Sequence, residues 1–243
     1  MKCPKTLVVG ASGATGRLLL EQLLDRGGSV RAVVRAGSQL PVSLVGAEGL
    51  EVVRAELLEL GESELQELVE GCDSIASCLG HNLTFRGLFG QPCRLVTESV
   101  RRLTQATIAR RPESPVRFVL MNTTGNRNRD LQEPASLANR AVIGLLRTFL
   151  PPHADNEQAA DYLRTQVGQS HPSVEWAAVR PDGLINAEQV TPYDLHPSPT
   201  RDPIFDAGQT SRINVASFMA DLATDDALWA EWKGRMPVIY NRA

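Results

Sequence analysis

The sequence lacks a long apolar run, an excess of positive charge and any paired-cysteine pattern. No stretch of the 243 residues reaches the ~18 apolar residues that a membrane-spanning helix requires. Lys and Arg number 25 against 28 Asp and Glu, so there is no global basic field to attract nucleic acid. The four cysteines, Cys3, Cys72, Cys78 and Cys93, are not spaced as zinc ligands and read as reduced thiols. The opening Met1-Lys2-Cys3-Pro4-Lys5 is charged like a secretion signal. The Thr6-Leu7-Val8-Val9 that follows is too short for its apolar core and runs straight into Gly10. These absences predict a cytoplasmic protein with neither a membrane nor a nucleic-acid partner. A composition of 42% hydrophobic and 22% charged residues excludes a disordered chain. The length suffices to bury a core without metal or disulfide staples. No repeat, low-complexity tract or linker divides the chain, so a single domain over 1–243 is expected.

What is present is an alternation of short apolar runs with helical patterns. Strands are predicted over 5–10, 30–35, 51–54, 74–79, 116–121, 174–179 and 237–240. Helices are predicted over 15–26, 63–69, 96–109, 137–150, 157–165 and 215–222. Leu18, Leu19, Leu23 and Leu24 give the first helix its apolar stripe, and Ser63 and Gly71 are expected to start and stop the second. Strands separated by helices predict an α/β fold, a doubly wound parallel sheet with helices on both faces. Two stretches break the rhythm. Residues 122–133 are polar and rich in Asn and Arg. Residues 186–209 hold Pro192, Pro197, Pro199 and Pro203 and cannot form one regular element. Such loops either build the substrate side of a site or are surface excursions.

The segment that carries chemistry is Gly10-Ala11-Ser12-Gly13-Ala14-Thr15-Gly16-Arg17, between the first strand and the first helix. Glycines let the chain turn tightly and let a pyrophosphate approach the backbone. The helix start then offers free N–H groups and a partial positive charge. No Gly-Lys-Ser/Thr follows, so this is not a P-loop, and Ser12 lacks the glycine two residues later that a nucleophile elbow needs.

The spacing G-x-x-G-x-x-G, with Thr15 before the third glycine, resembles the short-chain dehydrogenase/reductase superfamily. The closer resemblance is to its atypical NAD(P)H-binding branch, which includes NmrA-like proteins and the biliverdin reductase B/flavin reductase group. Val33-Val34-Arg35, Val53-Arg54-Ala55-Glu56-Leu57, Gly71-Cys72-Asp73, Val179-Arg180-Pro181-Asp182-Gly183-Leu184 and Ser211-Arg212-Ile213-Asn214-Val215-Ala216 extend it. The resemblance implies a Rossmann-type domain.

The second strand selects the cofactor. An acid about 20 residues after the glycine loop would hold the ribose hydroxyls of NAD; this chain has Arg35 there. An arginine favours a 2′-phosphate, and Ser38 can add a hydroxyl. One charge-assisted hydrogen bond of roughly 1.5–3 kcal/mol corresponds to about 10–100-fold toward NADP(H) over NAD(H). Arg17 either reaches the adenosine phosphate or is an exposed first-turn residue. Related flavin reductases place a second cation where this chain has Gln39. The resemblance further implies that the loop residues Gly10 to Gly16 hold the pyrophosphate and that Glu56 and Leu57 flank the adenine. Cys78, Leu79 and Gly80 would line the cofactor's middle, with Asn122 and Thr123 after the fifth strand. Pro181, Gly183 and Leu184 would face the nicotinamide amide.

Most catalytic members of the superfamily use Tyr-x-x-x-Lys. Here Tyr162 is followed by Gln166 and Tyr193 by Pro197, and Tyr240 lies near the end. A tyrosine-dependent alcohol dehydrogenase is therefore not expected. Hydride transfer needs orientation more than a protein acid. The flavin reductase group also lacks the pair and keeps a hydroxyl near the nicotinamide, for which Thr124 is the match. His153, with Glu157 at i, i+4, and His81 are candidate proton donors; His171 and His196 read as surface residues. Arg127 and Arg129, in the loop after the fifth strand, either meet an anionic substrate or are ordinary surface cations. The expectation is an NADP(H)-dependent oxidoreductase acting on a small conjugated acceptor. The alternative is a non-catalytic NADP(H)-sensing regulator of the NmrA-like kind; an epimerase or dehydratase is the weakest reading.

Overall fold

The computed structural model describes residues 4–80, 94–131, 133 and 151–242. The expected helix over 137–150, His81, Cys3 and Cys93 lie outside these residues. In chain order the first elements are β1 (Lys5–Val9), α1 (Gly16–Asp25), β2 (Ser29–Val34), β3 (Leu50–Arg54), α2 (Glu62–Val69), β4 (Ser74–Ser77) and α3 (Leu95–Arg110). Then come β5 (Val116–Met121), α4 (Pro151–Tyr162) with a π turn over Leu163–Val167, and β6 (Val174–Pro181). The last are β7 (Gly183–Ile185), β8 (Tyr193–His196), β9 (Gln209–Ser211), α5 (Arg212–Thr224), α6 (Asp226–Trp232) and β10 (Val238–Asn241).

Among the described residues, eight strands form one sheet in the order β3-β2-β1-β4-β5-β6-β10-β8. Every pairing is parallel except that of β8 with β10. The central strands read as unbroken apolar runs because both faces are covered. Alternate residues feed opposite faces. Leu7, Val9, Ile75, Phe118, Leu120 and Trp176 pack with Leu65 and Leu68 of α2, Val100 and Leu103 of α3 and Ala159 of α4. Val8, Ala76, Val119, Ala177 and Val179 pack with Leu19 and Leu23 of α1, Phe218 of α5 and Trp229 of α6. Strand order reverses at β1/β4, which opens a crevice at the carboxyl ends of the strands, where ligands of such sheets bind.

Several local expectations change. The second helix is capped by Gly61 rather than Ser63: the Glu64 carboxylate accepts the Gly61 amide (2.7 Å), which moves the cap back two residues. The helix expected over 157–165 is already present at Pro151, the first described residue of α4, and gives way to the π turn after Tyr162. The proline-rich stretch 186–209 contains β8 and leads into β9, and α6 also goes unpredicted. Asp155 of α4 closes the start of α3, accepting the amides of Val96 (2.8 Å) and Thr97 (2.9 Å).

Candidate functional site

The glycine loop leaves β1 at the crevice. Gly10 has φ +75°, and a Cβ there would stand 2.6 Å from the Cys78 carbonyl at the end of β4. A Cβ on Gly16 would stand 2.1 Å from the Gly10 oxygen. These two glycines are demanded by packing within the protein. Gly13 differs: it is exposed, and a Cβ would meet only the Gly10 oxygen, at 3.1 Å. The loop is closed by Gly13 N–H to Gly10 O (3.0 Å) and Arg17 N–H to Gly13 O (3.0 Å). Ser12 is half-buried, Ala14 is exposed and Thr15 is buried. Thr15 stands at the N-cap of α1, yet its side chain makes no capping bond. The chain therefore presents an uncapped helix start behind an exposed turn of small residues. This fits a pyrophosphate, whose oxygens take the place of a capping side chain.

Past β2, Arg35 is exposed and its carbonyl accepts the Ser38 amide (3.0 Å), folding 35–38 into a turn. Arg54, at the end of β3, donates from Nη1 to the Ser38 carbonyl (3.1 Å). Arg17 is exposed in the first turn of α1, and Glu56 is exposed beyond β3. Leu57 is buried in the core beside α2, and its carbonyl accepts from Arg102 Nη1 of α3 (3.2 Å). At the end of β4, burial pushes the Cys78 thiol up to about 12, so it stays protonated at neutral pH and is no nucleophile. Leu79 packs against the core and Gly80 is exposed.

Beyond β5 and β6 the backbone ladder continues: Asn122 N–H donates to Val179 O (2.7 Å) and Thr124 N–H to Pro181 O (3.1 Å). This brings the buried Thr124 hydroxyl to Asp182, where it donates to Oδ1 (3.0 Å). The other oxygen, Oδ2, accepts the Gly208 amide (2.8 Å), and Gly183 N–H donates to the Gly208 carbonyl (3.0 Å). Burial pushes the Asp182 carboxyl above its usual range, opposed by the Gly208 amide and the Thr124 hydroxyl. Asn122 Nδ2 donates to the Asn156 carbonyl (2.9 Å) and so fixes the strand end against α4. His153 Nε2 lies 3.7 Å from Glu157 Oε1 on the same helix face. Thr123, Thr124, Gly125, His153, Asp182 and Gly183, with Pro203, Ile204 and Ala207 as an apolar wall, line a cavity of about 300 Å³. Leu184 lies just outside it, half-buried in β7.

The loops around this cavity converge on Arg180, which the sequence marks only as part of the Arg-Pro segment and not as a buried ion-pair partner. Its guanidinium is fully buried and pairs with Glu133, Nη2 to Oε1 at 2.8 Å and Nη1 to Oε2 at 3.1 Å. It also donates to the carbonyls of Met236 (2.8 Å), Asn126 (3.0 Å) and Pro197 (3.1 Å). The loop 197–208 has its own clip, Arg201 on Asp206 (2.6 Å), and Asp202 Oδ1 accepts the Ile204 (2.9 Å) and Phe205 (3.0 Å) amides.

Other candidates fall away. Arg127 donates to the Glu133 carbonyl and Arg129 pairs with Asp161 (2.9 Å), so neither is held toward the cavity for an anion. The Tyr162 hydroxyl meets Thr104 of α3 (3.3 Å). The Tyr193 ring tilts against Phe218 and the Tyr240 ring against His196, with Tyr240 also beside Gly208 of the loop next to the cavity, and His171 Nδ1 accepts the Ser173 amide (3.1 Å). Among the described residues no cluster of His, Cys, Asp and Glu is placed to hold a metal ion, and no helix is long and apolar enough to cross a membrane.

Known proteins agree with this architecture. Uncharacterized protein At2g34460, chloroplastic, of Arabidopsis thaliana is 41% identical over 76 residues, 31% of this chain. The match spans only 26% of that relative's length. A solved short-chain dehydrogenase/reductase from Veillonella parvula, in complex with NADP, superposes with a TM-score of 0.68 at 15% identity, covering 100% of this chain and 96% of that one. ChuY, an anaerobilin reductase from Escherichia coli O157:H7, superposes with a TM-score of 0.65 at 19% identity, over 98% and 97% of the two chains. At these identities the likeness is one of fold, and the fold is the Rossmann-type sheet. The NAD(P)H-binding family model matches residues 10–226, most of the chain, and the chain belongs to that family.

Proposed function

We propose that the chain is an NADP(H)-dependent oxidoreductase that reduces a small conjugated acceptor of the flavin, quinone or tetrapyrrole type. The observation that carries this reading is the cavity at the carboxyl edge. A few polar groups, Thr123, Thr124, His153 and Asp182, stand on one side and apolar Pro203, Ile204 and Ala207 on the other. That combination suits a flat conjugated molecule with polar margins. When bound, NADPH supplies the hydride. The residues of this chain bind and orient. Gly13 and Ala14 offer backbone to the pyrophosphate, Arg35 and Ser38 favour the 2′-phosphate, and Glu56 and Leu57 flank the adenine. Cys78 to Gly80, Asn122 and Thr123 support the middle of the cofactor, with Pro181, Gly183 and Leu184 at its reacting end. Thr124, fixed by Asp182, orients that end, and His153, backed by the Glu157 carboxylate, is the proton donor. Loop 197–208 excludes water. We place this activity in one nucleotide-binding domain and in a reducing compartment, the cytoplasm, where free Cys72 and Cys78 remain thiols.

The test is NADPH oxidation by the purified chain against FMN, a quinone and a biliverdin-type tetrapyrrole. Turnover with one of them, lost in Thr124→Val, is expected; silence across the panel counts against the reading. The direction of Tyr162 toward α3, which leaves no tyrosine–lysine pair at the cavity, favours a second reading, an NADP(H)-sensing regulator. That reading requires tight, redox-selective nucleotide binding with no turnover.

A further inference from the structure

We infer that Arg54 is a second cation for the 2′-phosphate of NADP(H) and helps set the preference over NAD(H). The inference rests on the NADP(H) reading above and adds to it a residue from a different strand. In the parallel register of β2 and β3, Val34 pairs with Arg54, and the ladder closes with Ala55 N–H to Val34 O (3.1 Å). Register partners point to the same face. Val34 packs on the α1 side with Leu44, so Arg54 leaves the sheet on that side too. Its Nη1 then reaches the Ser38 carbonyl (3.1 Å), under the turn that Arg35 opens.

One bond to one carbonyl uses one of the five N–H donors of a guanidinium. No carboxylate pairs with Arg35 or Arg54 among the described residues, whereas Arg26, Arg31, Arg117 and Arg242 each hold one. The nearest acid in sequence, Glu56, follows two residues on and is exposed. Between the two arginines the turn carries Ala36 and Gly37, both exposed, and a Cβ on Gly37 would meet nothing within 4 Å. The corner therefore combines two unneutralised guanidinium groups, a serine and open space above small residues. A phosphate dianion is the ligand chemistry that such a fork-and-fork arrangement holds. Gln39 supplies no cation, and Arg54 takes that part from the neighbouring strand.

The experiment compares wild type, Arg35→Ala, Arg54→Ala and Arg54→Gln by calorimetric titration with NADP and NAD and with 2′,5′-ADP against 5′-AMP. Arg54→Gln keeps an N–H for the Ser38 carbonyl but carries no charge. Both Arg54 variants are expected to lose about 10-fold or more for NADP and 2′,5′-ADP while NAD changes by less than about 2-fold. Added salt should weaken NADP binding less in Arg54→Gln than in wild type. If Arg35→Ala loses NADP selectively while Arg54→Gln binds it like wild type, Arg54 only braces the turn and the inference is overturned alone. If wild type binds NAD as tightly as NADP, the NADP(H) reading falls and the inference falls with it.

Discussion

The Arg180–Glu133 pair gives the account its sharpest structural prediction. Both side chains are buried, at 0% and 4% exposure, and the guanidinium makes five hydrogen bonds that join the post-β5 loop, the turn into β10 and the chain after β8. Glu133 also accepts the Asn128 amide (2.8 Å). Glu133→Leu leaves a fully buried cation uncompensated, and Arg180→Met leaves a buried carboxylate and three carbonyls without donors. Removing one partner of such a pair costs about 3–5 kcal/mol. For a chain of this size that lowers the melting temperature by roughly 6–20 °C. The double variant Arg180→Met/Glu133→Leu buries no charge, so it should cost less than the two single changes together by about 2 kcal/mol or more. Thermal and denaturant melting of the four proteins completes the cycle, and limited proteolysis reports whether residues 126–131 come loose. Single variants that each cost under about 1 kcal/mol, or a cycle that simply adds, would refute the idea that this pair holds the loops around the cavity.

Three further outcomes follow from the geometry. Gly16→Ala drives a methyl group into the Gly10 carbonyl and should cost about 1–3 kcal/mol of stability. Gly13→Ala should melt much closer to wild type yet lose nucleotide affinity; equal melting losses for the two would contradict the division of roles within the loop. Asp182→Leu removes the acceptors of both the Thr124 hydroxyl and the Gly208 amide in a buried setting. It should cost about 1–3 kcal/mol and speed hydrogen exchange at the Gly208 amide, and unchanged protection there would count against the clasp. The Lys5 ammonium bonded to Glu51, helped by Arg31, holds its carboxyl below the usual range. A lowered folded value means that its stabilisation is whole above the unfolded value of about 4.3 and is lost as pH falls through the folded one. Melting of Glu51→Gln should therefore fall less steeply with acid than that of wild type, and parallel curves would show that the pair adds nothing.

The parts legible in the sequence are those with a local cause. A strand buried on both faces must be a short apolar run, so β1, β2, β5 and β6 stand out. A loop that packs its own carbonyl against a helix start must be glycine at both ends, so Gly10 and Gly16 mark the crevice. Arg35 and Ser38 lie on one turn and could be read together. What escaped the sequence depends on partners far apart along the chain. Glu133 and Arg180 show nothing in common until the fold closes, and Asp155 caps a helix begun some sixty residues earlier. Arg54 becomes a companion of Arg35 only through the β2/β3 register. The three-residue strands β7 and β9 are too short to show a period, and β8 is hidden between prolines that read as loop. Ser63 is a reasonable cap by type, but the Glu64 carboxylate settles the cap two residues earlier, at Gly61.

The central claim is that backbone at the glycine loop holds a dinucleotide. Calorimetric titration of the chain with NADPH, paired with thermal melting, addresses it most directly. The account predicts saturable heat at one site per chain. At nucleotide near 100 times Kd, a stabilisation of about 2.7 kcal/mol should raise the melting temperature by roughly 5–11 °C. No heat and no shift in melting with NADPH, NADP, NADH or NAD would contradict it.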